Sequence, residues 1–463
     1  MGTRLAAVGE GLMAADVDDI EAIETDYLVI GAGAMGMAFV DVLLKQDRSA
    51  QVVVVDRHPA PGGHWNDAYP FVTLHQPAAF YGISSASLGS GGTDLASLPE
   101  IIAYYRAAMR RFEATGRVRF LAMSDYRDGV VTSILNPDRQ TRVEARRRVV
   151  DATYHNVQVP SIVKPAYEVD DDVELIPPNE LVRLTKSYEH YVVVGAGKTG
   201  IDAVLFLLNR GVSPDSISWI MPNDSWFWDR ETLPPATVMG ALIGMLQVAA
   251  DLDSPDEMFA ALAERGIVFR FDPDVRPTKW KCATVTRGEL AELHRVTDVV
   301  RLGRVERISR GSIALVQGRR DVPENSLFID CTADGLATKE PKPIFAPGSI
   351  TLQSVFMCQQ VFSAALIGRL ETARMTDAER NRLVMPVPHP AVTEDLPRAL
   401  LASAQNMVRC HTRVPWWLRR NRLFFGHHAA RRRYLVASVN MIRYYRRALA
   451  SGRWGTSTEG NHP

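Results

Sequence analysis

The stretch YLVIGAGAMG, from Tyr27 to Gly36, returns almost unchanged as YVVVGAGKTG, from Tyr191 to Gly200. In both copies a short apolar run reaches a GxGxxG turn, and a helical run follows, MAFVDVLLKQ in the first and IDAVLFLLNR in the second. Strand, glycine turn and helix in that order open a dinucleotide-binding βαβ unit. Two such openings predict an α/β chain with two Rossmann-like dinucleotide-binding domains. The length agrees, because 463 residues exceed what one core ordinarily holds.

The parts of the first turn carry separate physical demands. Gly31 permits the tight bend, and Gly33 lets the backbone approach a pyrophosphate. Gly36 allows the helix to lie close on the strand, so that Ala34 and Met35 present the helix N-terminus to the anion. The next apolar run, QVVVV, ends just before Asp56, where a carboxylate accepts hydrogen bonds from ribose hydroxyls. Beyond it stands DRHPAPGGHWNDAYP, from Asp56 to Pro70. This run resembles the flavin-binding segment of class B flavin-dependent monooxygenases, the group that includes the Baeyer–Villiger enzymes. The resemblance implies FAD, with Asp56 and Arg57 at the adenosine end and Gly63, His64 and Trp65 near the flavin. His64 stands where that group usually has threonine. By the same alignment His75, with Gln76 beside it, takes the place of a carboxylate near the reactive edge of the flavin. The other reading of His75 is a buried histidine satisfied by backbone.

The second turn, Gly195, Gly197, Lys198, Thr199 and Gly200, leads to the strand ISWIM, ending at Met221 with no acid where the first copy has Asp56. Without that carboxylate the preference for NAD falls away and the 2′-phosphate of NADPH has room, with NADH left open. The expected phosphate partner is an arginine. Pro222 and Asn223 follow the strand instead, so Arg230 and Lys198 are the candidate cations. Each unit then closes on a D-x-T triplet, Asp151-Ala152-Thr153 and Asp330-Cys331-Thr332. Both resemble the strand-exit segment of two-dinucleotide-domain flavoproteins. The order turn, exit, turn, exit implies an NAD(P)-binding domain inserted into a split FAD-binding domain.

The expected divisions are a tail over 1–25, the FAD-binding domain over 26–160 and 330–400, and the NAD(P)H-binding domain over 161–329. The last carries a helical insert at about 226–281, and a basic helical extension covers 401–463. Its helical stretch ends naturally at Gly266, and the insert reads either as a lid or substrate wall or as plain packing. Trp226-Phe227-Trp228 is expected to fill core. In SITLQSVFMCQQVFSAALIGRLE a helix is expected from near Val361, and the resemblance implies that its N-terminus lies against the flavin pyrimidine with Gln359, Gln360 and Ser363.

Charge is balanced, with 53 Lys plus Arg against 53 Asp plus Glu, so no net field draws the chain to nucleic acid. The arginines between Arg409 and Arg447 are the local exception. They read as an amphipathic helix packed on the body, or as a route to peripheral membrane or protein contact. No run reaches the roughly 18 apolar residues of a spanning helix, and the acidic N-terminal stretch is no signal peptide, so a cytoplasmic protein is expected. Cys282, Cys331, Cys358 and Cys410 form no CxxC pair, which argues against a disulfide framework, a metal site and a redox-active disulfide. His389, His427 and His428 are expected in turns or at the surface.

The resemblance implies an NADPH- and oxygen-dependent monooxygenase acting on a small organic molecule through a C4a-(hydro)peroxyflavin. The FxGxxxH signature of that group is absent before the second turn, where the chain reads YHNVQVPSIVKPAYEVDDDVELIPPNEL. A flavin dehydrogenase or reductase that inserts no oxygen is the alternative, and a flavin redox sensor a further one. Substrate and oligomeric state are not legible.

Overall fold

The computed structural model of the chain describes residues 21–89 and 95–451, so most of the expected N-terminal tail and the last residues of the basic extension lie outside the described residues. Two parallel sheets dominate. The first runs Val118–Leu121, Val52–Val55, Glu21–Ile30, Gln140–Asp151, Ser349–Thr351 in spatial order. The second runs Asp298–Val300, Ile217–Ile220, His190–Val194, Ser326–Asp330, Leu175–Ile176. Each has the strand before the glycine turn at its centre, flanked on one side by the strand after the first helix and on the other by the strand that carries D-x-T. Strand Ser349–Thr351 belongs to the first sheet, although it follows the whole second unit in sequence. The second Rossmann unit is therefore an insertion within the first.

The opening strand corrects one expected boundary. It begins at Glu21 rather than at residue 26. Glu21–Thr25 pair in parallel with Thr141–Ala145 before a register shift ahead of Tyr27. The long exit strand supplies backbone partners to a polar segment that no apolar pattern announces.

The insert also differs from the purely helical expectation. Two helices, Val238–Asp251 and Pro255–Glu264, are framed by a small sheet of Val268–Arg270, Trp226–Asp229 and Thr284–Val285. Trp226 stacks on Phe259 with ring centroids 5.3 Å apart, and Trp228 on Trp280 at 5.5 Å, so this aromatic run fills core as expected. The insert shares the main hydrophobic core with the first sheet and with the C-terminal helices. The inner face of the second domain has a core of its own around Trp219, Ile329 and Leu207.

The C-terminal part starts earlier than expected, because the helix Asp395–Arg413 runs through residue 401. The last helix, Arg431–Ser451, packs on Val238–Asp251. Several of its neighbouring arginines are tied to internal carbonyls. Arg422 donates to the carbonyls of Ile83 and Ala79, at 2.9 and 2.6 Å, and also to that of Tyr81, while Arg447 donates to Ala250 at 3.0 Å. That much of the basic stretch is structural. Among the described residues no helix is long and apolar enough to cross a membrane.

A buried ionic knot joins the two halves of the split domain. Glu371, at the end of the helix Gln360–Glu371, accepts from the Tyr27 hydroxyl at 3.2 Å and from Arg148 at 3.3 Å. Its other oxygen lies 3.3 Å from Arg380, and Asp377 binds both guanidiniums at 2.6 and 2.8 Å. Desolvating charges can cost more than one pair returns, but removing one carboxylate from a buried set leaves two guanidiniums sharing the single counter-ion Asp377. Glu371→Ala is expected to lower the unfolding free energy by about 3 kcal/mol. Denaturant melting checks this, and a loss within about 0.5 kcal/mol, the range of an ordinary surface substitution, contradicts the bridging role.

Candidate active site

The two glycine turns have the same construction. Gly31 and Gly195 adopt φ of +103° and +117°, where only glycine is unstrained. A Cβ at Gly36 would overlap the carbonyl oxygen of Gly31, and one at Gly200 would overlap that of Gly195. The helices start at Ala34 and Lys198, each with glycine at the N-cap and no side chain capping it. Uncapped N-terminal N–H groups are what a pyrophosphate binds. The D-x-T exits match as well. Thr153 and Thr332 each fold back on the preceding aspartate, backbone and hydroxyl both bonding its Oδ1, at 2.8 and 2.7 Å in one and 3.1 and 2.6 Å in the other.

The turns differ in what lies above them. Gly62 donates to the carbonyl of Ala32 at 2.9 Å, which lays Gly63-His64-Trp65-Asn66 over the first turn. A Cβ on Gly63 would approach Gly33 Cα to 2.9 Å, so backbone meets backbone there. Trp65 is buried and donates to the Tyr81 hydroxyl at 2.7 Å. Above Gly197 a Cβ would meet nothing within 4 Å.

Asp56 stands at the strand end as expected. One oxygen accepts from Ala32 N–H at 2.6 Å and the other from His58 N–H at 2.9 Å. His58 also lies between Asp56 and Asp67, at 2.7 and 2.8 Å, a partner the sequence reading did not assign. These carboxylates, Asp56 first, push the His58 pKa up to about 9. Arg57 points outward to Asp125 at 3.0 Å. Burial pushes His64 down to about 4, and His58 adds to the effect.

Both expected phosphate partners in the second domain are paired with side chains of the protein. Arg230 is buried and donates to Thr284 Oγ1 and its carbonyl at 3.0 Å each and to Glu289 at 2.8 Å. Lys198 pairs with Asp202 one helical turn on, and Asp202 accepts the Tyr69 hydroxyl at 2.8 Å. Thr199 also faces that phenol. Arg230 is thus held by residues of its own domain, and Lys198 by its own helix. A cation that does stand at the strand ends is Arg301, following Val300, itself the register partner of Ile220. It forms a fork on Asp224 at 2.9 and 3.1 Å.

His75 and Gln76 line a cavity of about 70 Å³ between the domains, with Trp228, Leu242, Phe356 and Gln359. The insert helix Val238–Asp251 thus forms one wall. Ligand chambers usually run to several hundred Å³, so this cavity is small for one. Thr284 donates its hydroxyl to the His75 carbonyl, which ties the His75 segment through Thr284 to Arg230. Burial, with Lys198, Arg230 and His389 nearby, pushes His75 down to about 3. It is therefore a neutral imidazole near cations. Gln359 is the N-cap of Gln360–Glu371, and its Oε1 is buried without a partner. Ser363 differs from expectation. Its hydroxyl accepts from Val355 and Phe356 N–H at 3.0 and 3.2 Å, so it shapes the chain rather than facing a ligand.

The cysteine reading is overturned. Cys282 and Cys358 form a disulfide across a separation of 76 residues, and both line the cavity. His389, expected in a turn or at the surface, is 7% exposed, and its ring nitrogen and the two sulfurs lie within 4.8 Å of one another. Spacing rules see only cysteines that are near in sequence; here the docking of two domains brings them together.

The His58 bridge has a pH signature. Its folded pKa of about 9 exceeds the ordinary 6.5, so its contribution to stability is full below pH 6.5 and is lost as pH rises through about 9. His58→Gln is expected to lower the melting temperature at pH 6 and to leave it nearly unchanged at pH 10. Parallel melting curves for the two proteins across that range contradict the bridge.

Residues 29–78 match the family model of the NAD(P)-binding Rossmann-like domain. The "Uncharacterized protein Rv2000" of Mycobacterium tuberculosis (strain ATCC 25618 / H37Rv) is 44% identical over 407 residues, covering 84% of this chain and 74% of its own. The "Uncharacterized oxidoreductase CzcO" of Bacillus subtilis (strain 168) is 22% identical over 190 residues, 41% of this chain and 53% of that protein. Among solved structures, cyclohexanone monooxygenase from Rhodococcus sp. Phi1 bound to NADP+ aligns over 92% of this chain and 98% of its own, with TM-score 0.51 at 14% identity. An oxidized steroid monooxygenase bound to NADP gives the same TM-score and identity over 76% and 84%. The chain belongs to the family of the mycobacterial protein Rv2000 and has the two-Rossmann-domain fold of the flavin monooxygenases.

Proposed function

We propose that the chain is an FAD-dependent oxidoreductase reduced by NADPH, and specifically a monooxygenase of small organic molecules. The observation that carries this reading is the asymmetry of two otherwise matching turns. The first is roofed by the Gly63 loop, which suits a nucleotide that stays bound. The second has open space above Gly197, which suits a coenzyme that comes and goes.

The residues present fit both groups. Each turn offers an uncapped helix N-terminus, and Asp56 sits at the ribose position of the first. The orphaned Gln359 Oε1 is an acceptor suited to a ring N–H of the flavin pyrimidine. FAD, when bound, accepts a hydride from nicotinamide and, once reduced, activates oxygen for transfer. The chain's own part is binding, orientation and exclusion of water. Tyr81 holds Trp65, Thr284 holds the His75 segment, and the apolar wall of Trp228, Leu242 and Phe356 keeps the cavity dry. His75, neutral at physiological pH, offers one ring N–H and one lone pair to a substrate carbonyl or heteroatom.

Purified protein is expected to be yellow and to bleach with NADPH under nitrogen. On admission of air, oxygen uptake should couple to an oxidised amine, sulfide or ketone. Stoichiometric peroxide without product replaces the monooxygenase by a reductase or dehydrogenase, and no bleaching by NADPH or NADH removes both readings. Gly33→Val presses on the Gly63 loop and should give colourless protein; full flavin occupancy contradicts the first site. At Gly197 a Cβ has open space, so Gly197→Val should stay folded and yellow while reduction by NADPH slows at least tenfold. Unaltered stopped-flow reduction means that the second turn is idle.

A further inference from the structure

Three observations meet at the Cys282–Cys358 bond. It joins the domains across the cavity, from the strand region at the end of the insert to the residue just before Gln359. Its two cysteines share the cavity wall with His75 and Gln76. Both cysteines also adopt φ of +55°, in the left-handed region that non-glycine residues rarely occupy. Such strain persists where the surroundings enforce it and collects at functional sites.

His389 stands beside the sulfurs with a set tautomer. Its Nδ1 faces the carbonyl of Pro390 at 3.0 Å and so carries the proton, which leaves Nε2 as an acceptor. Burial keeps the ring neutral, with its pKa pushed down to about 4. The other two cysteines, Cys331 and Cys410, are buried free thiols, both with pKa pushed up by burial. They are poor nucleophiles and do not compete for the bond.

We propose that Cys282–Cys358 is a second two-electron centre, a cystine that receives reducing equivalents from the flavin and holds them as a dithiol facing the cavity. This rests on the FAD and NADPH reading above. The balance closes on groups already named. NADPH gives a hydride, the S–S bond breaks, and both electrons end on sulfur. One proton comes with the hydride and one from solvent, giving NADP+, oxidised flavin and two thiols. Gln359, next to Cys358, supplies the orphaned acceptor toward the flavin, and the His389 ring beside the sulfurs relays a proton to or from one of them. The flavin then reaches a four-electron reduced protein, and the dithiol becomes a reductant available to whatever occupies the cavity.

The test is an anaerobic NADPH titration of the flavin-loaded protein, with alkylation after denaturation and intact-mass counting of labelled thiols. With four cysteines in the chain and two of them free, the oxidised protein should label at two positions and the fully reduced one at four. Wild type should need two equivalents of NADPH per flavin, and Cys358→Ser or Cys282→Ser one. If wild type bleaches with one equivalent and still labels at two positions, the bond is a structural staple and the proposal fails. Four labelled thiols before any NADPH, with a tightly held metal in the native mass spectrum, overturn it in favour of a metal site. Absence of bleaching removes the flavin reading itself, a different result from bleaching without new thiols.

Discussion

Contact between backbones at the glycine turns is the constraint on which the rest depends. At Gly36 and Gly200 there is no space for even one carbon, because the carbonyl of the first glycine of each turn occupies it. Gly31 and Gly195 in turn press on the exit segments, where a Cβ would approach Thr153 Cγ2 to 3.0 Å and the Cys331 carbonyl oxygen to 2.8 Å. Turn, helix and exit strand are therefore one rigid unit. That unit fixes where each helix N-terminus points, and so where a pyrophosphate can lie.

The domains are then locked to each other by a small number of side chains. Phe71 stacks on Phe206 with centroids 4.2 Å apart, Tyr69 reaches Asp202, and Thr284 holds His75. The insert belongs by sequence to the second domain, yet it shares its core with the first and with the C-terminal helices. The cavity consequently has walls from three parts of the chain, and motion of any one part changes its volume.

Much of the scaffold was legible. The paired turns and the paired D-x-T exits announced two Rossmann units, and their order announced the insertion, because these features are local and sterically demanding. What the charged residues do was not legible. Arg230 and Lys198 looked like phosphate partners because they are cations near the second turn, but Thr284, Glu289 and Asp202 engage them. Ser363 looked like a ligand contact and instead accepts two backbone N–H groups. His58 went unassigned because its second carboxylate, Asp67, comes from the loop that folds back over the turn.

The sequence by itself determined the two nucleotide-binding frames, since glycine without a Cβ is the only residue that fits those bends, and periodic apolar runs specify the strands and helices beside them. Tertiary structure alone decided which polar groups remain available, that the insert walls a cavity, and that Cys282 meets Cys358. The physical reason is range. A turn is specified by atoms a few residues apart, whereas ion pairs, cavities and cystines depend on how separate units dock, and no local pattern encodes that distance.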